Sequence, residues 1–123
     1  MKLIQCIIRP EKLSDLVARV EGMASGLTVS DIRGHGHQKG QPAVYRGLEY
    51  QVSLLPKTMV EIVADESRVD DIIKVVSETA RTGQIGDGRI FILDVGQSYH
   101  IRTGSMDYPR VIVKSDKNVW TEH

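Results

Sequence analysis

Only one cysteine, Cys6, occurs in the 123 residues, and a lone thiol can close no disulfide within its own chain. Aromatics are scarce: one Phe, one Trp and four Tyr. That works against a module that stacks nucleic-acid bases on aromatic strands. Surplus charge is missing as well. Sixteen Lys plus Arg meet sixteen Asp plus Glu, for a net charge of zero, whereas domains that hold nucleic acid by a basic surface carry a large positive excess. No apolar run approaches the roughly 18 residues of a membrane span, and Met1-Lys2-Leu3-Ile4-Gln5 lacks the shape of a signal peptide. With 41% hydrophobic and 26% charged residues, disorder and coiled coil are also disfavoured. The expectation is one cytoplasmic domain with a single core, binding no nucleic acid and entering no membrane.

The periodicities alternate between strand and helix. Leu3 to Ile8 is a short apolar run closed by Arg9-Pro10, and predicts a strand. Leu13, Leu16, Val17 and Val20 follow at helical spacing after a proline suited to a first turn, with Gly22 and Gly26 as stops. Leu27 to Ser30 alternates and begins a second strand towards Arg33; Thr58 to Val63 predicts a third. Asp65 or Ser67 is placed to cap a helix whose apolar face is Val69, Ile72, Ile73, Val76 and Ala80, with Gly83 as its C-terminal glycine. Arg89 to Val95 is the fourth strand, and Ser98 to Ile101 a short fifth. The order β-α-β-β-α-β is the ferredoxin-like α+β pattern, four strands with two helices on one face. Strands apolar on both sides (Ile7 and Ile8; Ile90 to Leu93) predict an oligomer whose sheets pack inward.

Between the second and third strands, Gly34 to Lys57, lies a connection longer than the roughly 15 residues at which compact-domain loops become uncommon. Tyr45, Arg46, Glu49 and Tyr50 give it adhesive side chains unlike a tether, which predicts a binding loop.

Three short motifs bear on chemistry. Thr82-Gly83-Gln84-Ile85-Gly86-Asp87-Gly88-Arg89 has the glycines and the cation of a nest that turns several N–H groups towards one anion. It sits between a helix and a strand, the reverse of the dinucleotide fingerprint and the P-loop. A plain turn and a phosphate site both remain open on composition. His100-Ile101-Arg102 puts two groups able to carry positive charge on one side of an extended segment, and arginine's planar fork suits phosphate. A solvated strand end is the competing reading. His35-Gly36-His37 lacks the further ligands of a structural metal site. No nucleophile with its base and orienter stands out, and Cys6 sits in an apolar strand. Nothing here predicts an enzyme.

Together these residues resemble the PII signal-transduction family of nitrogen regulatory proteins. The resemblance is carried by Gly34-His35-Gly36-His37-Gln38-Lys39-Gly40, Tyr45-Arg46-Gly47-Leu48-Glu49-Tyr50, Leu55-Pro56-Lys57, Thr82 to Phe91, and Ile101-Arg102-Thr103-Gly104. It implies a PII-like domain over 1–104, with a loop over 36–55 and an extension over 105–123. It implies a homotrimer with nucleotide sites in the clefts between subunits, where ATP and ADP compete and 2-oxoglutarate joins ATP through Mg²⁺. The loop would dock onto a transporter, metabolic enzyme or regulator.

By the same resemblance, Gly86, Asp87, Gly88 and Arg89 hold the phosphates, and Arg102 with His100 reaches them from the neighbouring subunit. Ile7, Gly34, Gly36, Glu61 and Val63 surround the nucleoside, with Gly26, Leu27 and Thr28 from the other chain. Gln38 supplies an oxygen to Mg²⁺ and lies at the nucleotide and 2-oxoglutarate sites; Lys57 pairs with a 2-oxoglutarate carboxylate. Tyr50 matches a nucleotidylation tyrosine. The departures are Leu48 for a small residue, Arg89 for lysine, His100 for arginine, and the extension with Trp120. A paralogue sensing adenine nucleotides and another small anion, and a small phosphate-handling enzyme of ferredoxin-like fold, are the alternatives.

Overall fold

The computed structural model describes residues 1–35 and 54–107, and the backbone of 43–45 and 48–50. Strand β1 (Lys2–Ile8) leads through a 3₁₀ turn, Pro10–Lys12, into helix α1 (Leu13–Val20). Then come β2 (Gly26–Gly34), the short strands β3 (Ala43–Tyr45) and β4 (Leu48–Tyr50), and β5 (Leu55–Ala64). A second 3₁₀ turn, Glu66–Arg68, opens α2 (Val69–Ala80), and β6 (Gly88–Asp94) follows. The main sheet is antiparallel in the order β2-β5-β1-β6. Two helices pack on a four-stranded sheet, as the β-α-β-β-α-β order predicts. β3 and β4 pair with each other as a separate hairpin inside the long connection.

Strand alternation decides where the core lies. Ile4, Cys6 and Ile8 of β1, and Val60, Ile62 and Ala64 of β5, turn towards the helices and are buried. Leu16 and Val20 of α1 meet them, as do Val69, Ile72, Val76 and Ala80 of α2. Cys6 is part of this core, and burial pushes its thiol up to about 11, which makes it packing rather than a nucleophile.

The other sheet face carries Leu3, Ile7, Met59, Val63, Phe91 and Leu93 across registered rows, and no described element covers it. Phe91 is 44% exposed and Leu93 41%. The predicted apolarity on both sides is therefore real, and it leaves an apolar surface on the single chain.

Several local expectations need correction. Neither Asp65 nor Ser67 caps α2: the 3₁₀ turn intervenes, Arg68 stands at the N-cap, and the Ser67 hydroxyl instead donates to Asp65 Oδ2 at 2.6 Å. Gly83 is not the helix's C-terminal glycine. The C-cap is Arg81 in an extended conformation, and Gly83 takes its φ of 87° two residues later, within the turn to β6. The fifth strand reduces to one bridge, Tyr99 to Met106, at the base of a turn. Among the described residues no helix is long and apolar enough to cross a membrane.

Candidate functional site

The segment between α2 and β6 is built around one carboxylate. Asp87 accepts from the Thr82 hydroxyl, from the N–H groups of Thr82 at 2.8 Å and Gly83 at 2.9 Å, and from Arg9 Nε at 3.1 Å. The bonds from Thr82 lead, those of Gly83 and Arg9 add to them, and together they hold the Asp87 carboxyl far below the usual carboxylate range. Arg9 also donates to the Ile85 carbonyl at 3.0 Å, and Lys57 Nζ to the Gly86 carbonyl at 2.8 Å. Burial lowers the Lys57 pKa, and the nearby Arg9 guanidinium lowers it further. Two cations, Arg9 just after β1 and Lys57 of β5, thus converge on the glycine turn with the Asp87 carboxylate.

Gly86 and Gly88 take φ of 99° and 115°. Gly88 has no alternative: a Cβ there would lie 1.8 Å from the Ile7 carbonyl oxygen. This close approach lets β6 begin directly against the end of β1, where Ile8 faces Gly88 and Ile7 faces Arg89. A depression of about 320 Å³ lies beside the turn, lined by Ile7, Ser77, Arg81, Asp87, Gly88 and Arg89 among others. The N–H groups of Thr82 and Gly83 and the two cations are engaged by Asp87 and by the turn's own carbonyls, which fixes the backbone of the glycine turn in advance of any ligand.

The fold brings together Ile7, Lys57, Gly86, Asp87, Gly88 and Arg89. Gly34 joins them through Lys57, whose Cγ would lie 3.3 Å from a Cβ at that glycine. A second group stands apart. Gly26 faces Val63, Leu27 faces Ile62, and Thr28 faces Glu61. Gly26 and Gly34 are the two ends of β2, about 26 Å apart at strand rise. Glu61 accepts from Gln5 Nε2 at 2.9 Å on the open face, and Leu27 lies on the opposite face. His100 and Arg102 form a third group, in the turn after β6 leaves the sheet at Asp94, the far end from Gly88. The His100 ring is engaged at home, with Nε2 2.5 Å from Asp107 Oδ1.

Gly36, Gln38 and the 108–123 tail with Trp120 lie outside the described residues, as does the Tyr50 side chain. The sequence motifs assign no separate role to Arg9 or Thr82. Arg9 directly follows β1, so the pairing of Ile8 with Gly88 would have placed it beside the turn. Thr82 stands five residues before the carboxylate it binds.

Among the described residues, no cluster of three or more His, Cys, Asp or Glu side chains could hold a metal ion.

Comparison with known proteins agrees with this architecture. The family described as "Nitrogen regulatory protein P-II" matches residues 1–105. The "Nitrogen regulatory protein P-II" of Pasteurella multocida (strain Pm70) is 48% identical over 105 residues, covering 85% of this chain and 94% of that protein. The protein of the same name from Nostoc punctiforme (strain ATCC 29133 / PCC 73102) is 50% identical over 105 residues, with 85% and 94% covered. "Nitrogen regulatory protein P-II 1" of Escherichia coli (strain K12) is 46% identical over 108 residues, with 87% and 96% covered. A match across nearly the whole described domain, with relatives whose names are regulatory rather than catalytic, settles the family: the chain belongs to the nitrogen regulatory P-II proteins, a family of signalling regulators rather than enzymes.

Proposed function

We propose that the protein is a cytoplasmic, homotrimeric regulator that binds ATP or ADP between subunits. With ATP and Mg²⁺ it also takes up 2-oxoglutarate, and the 36–55 loop passes the result to a nitrogen-related target protein. The observation that carries this reading is the glycine turn: a preset backbone, tied by Asp87 to Thr82, Gly83 and Arg9, with Lys57 on the Gly86 carbonyl. Such a turn pays little ordering entropy when an anion arrives.

The cleft between subunits has its own support. The expected nucleotide residues fall into separate groups on one chain, near opposite ends of β2 and beyond the far end of β6. One nucleotide reaches all of them only if a second chain brings the remote groups alongside. The uncovered face with Leu3, Ile7, Phe91 and Leu93 offers the surface on which copies would associate. Gln38 would place a side-chain oxygen on Mg²⁺, and Lys57 would pair with a carboxylate of the metabolite. The family membership weighs against the phosphate-handling enzyme.

The test combines sedimentation with calorimetric titration of ADP, for wild type and Phe91→Glu. Wild type should sediment as a trimer and bind one ADP per chain. Phe91→Glu, which puts a charge on the open face, should sediment as a monomer and lose ADP binding. A wild-type monomer that binds ADP fully would overturn the shared cleft.

A further inference from the structure

The turn after β6 is closed at its neck and exposed at its tip. At the neck, the Asp107 N–H donates to the Ser98 carbonyl at 2.7 Å. The Ser98 hydroxyl donates to Asp107 Oδ2 at 3.0 Å, and His100 Nε2 lies 2.5 Å from Asp107 Oδ1. One step further, the His100 N–H donates to the Ser105 carbonyl at 2.9 Å, and the Gly104 N–H to the His100 carbonyl at 2.8 Å. Gly104 closes that ring with a φ of 71°. Beyond it lie Ile101, Arg102 and Thr103, all exposed.

Burial separates the two ends of this turn. The Asp107 side chain is 13% exposed and that of His100 28%, and their facing atoms, Nε2 and Oδ1, are shielded from solvent. A carboxylate in that position depends on its partners, because stripping them away leaves a desolvated charge. Arg102, by contrast, is exposed, and no ion pair holds it among the described residues. The shape of its turn rests on residue 107, just past the 1–105 span that matches the family.

We propose that Asp107 is a positioning residue: by tying Ser98 and His100 together it holds the 98–107 turn closed, and so presents Arg102 to the phosphates of a nucleotide. This rests on the nucleotide reading above. A guanidinium on a preset turn loses less freedom on meeting a phosphate than one on an open strand end. With the His100 ring held by Asp107 rather than aimed at the ligand, Asp107 acts on the nucleotide without touching it, through Arg102.

The experiment is a double-mutant cycle on the full chain: ADP titrated into wild type, Asp107→Ala, Arg102→Ala and the double variant. Hydrogen exchange at the His100 and Gly104 amides accompanies it. Asp107→Ala should weaken ADP about tenfold, change affinity less than twofold once Arg102 is alanine, and speed exchange at both amides. Ser98→Ala should do the same to a smaller degree, and takes its place if Asp107→Ala does not fold. Unchanged affinity, an equal loss in both backgrounds, or unchanged exchange would each overturn the proposal. If wild type itself binds no ADP, the nucleotide reading falls and takes the role of Arg102 with it. The exchange data would still distinguish a latched turn from an open one.

Discussion

Gly88 and Gly83 share a positive φ but differ in what a side chain would meet. At Gly83 a Cβ would find nothing within 4 Å, while at Gly88 it would lie 1.8 Å from a backbone oxygen. Gly83→Ala should therefore cost about 1–2 kcal/mol, the ordinary penalty of the left-handed region. Gly88→Ala should cost about 3 kcal/mol or more, because β6 must also move away from β1. Urea denaturation of the two variants checks this, and equal midpoints would contradict it. Asp87 gives a prediction in pH. Its folded pKa lies below its unfolded one, so its contribution is complete above the ordinary carboxylate range near 4 and is lost as pH falls below it. Asp87→Asn should cost about 1–3 kcal/mol at neutral pH, and less in acid, where wild type converges on it. Parallel stability curves for the two proteins from pH 7 to pH 3 would refute the assignment. The glycines of this turn were legible in the sequence, but not their division of labour. That depends on the register between β1 and β6, a pairing across 80 residues that local spacing does not encode.

At the scale of elements, both helices and all four sheet strands were legible, because each has a strong period and a clear stop. Leu16 and Val20, and Ile72, Val76 and Ala80, became the buried faces that their spacing predicted. What local pattern could not supply was the junctions. A helix that starts from a 3₁₀ turn uses that turn to satisfy early N–H groups, so Asp65 and Ser67 bond each other instead of capping α2. The apolar alternation of Ser98 to Ile101 resembles a strand, yet it meets only its own turn, through Tyr99 and Met106. Strand propensity without a partner strand forms no sheet. Among the described residues, β3 and β4 pair with each other and not with the main sheet. Excising residues 40–54 should accordingly leave ADP affinity and sedimentation unchanged while target binding is lost. Dissociation of the assembly on excision would make the segment part of the core and contradict that separation.

For the whole molecule, the site was legible in kind but not in place. The cations and glycines were visible as residue types, and the resemblance gave them roles. Only the fold shows that Lys57 and Arg9 meet Gly86 and Asp87, while Thr28, Glu61 and Arg102 stand elsewhere on the chain. If these residues form the proposed shared site, binding and subunit contact use the same residues, and ligands are sensed through assembly. The central claim is that this shared site reads a metabolite through the nucleotide beside it. Calorimetric titration of 2-oxoglutarate tests it most directly, using wild-type protein saturated with ATP and Mg²⁺, with ATP and no metal, or with ADP and Mg²⁺. Heat of binding should appear in the first case alone and vanish in Lys57→Ala and Gln38→Ala; 2-oxoglutarate binding with ADP or without metal, or no binding with ATP and Mg²⁺, would contradict the account.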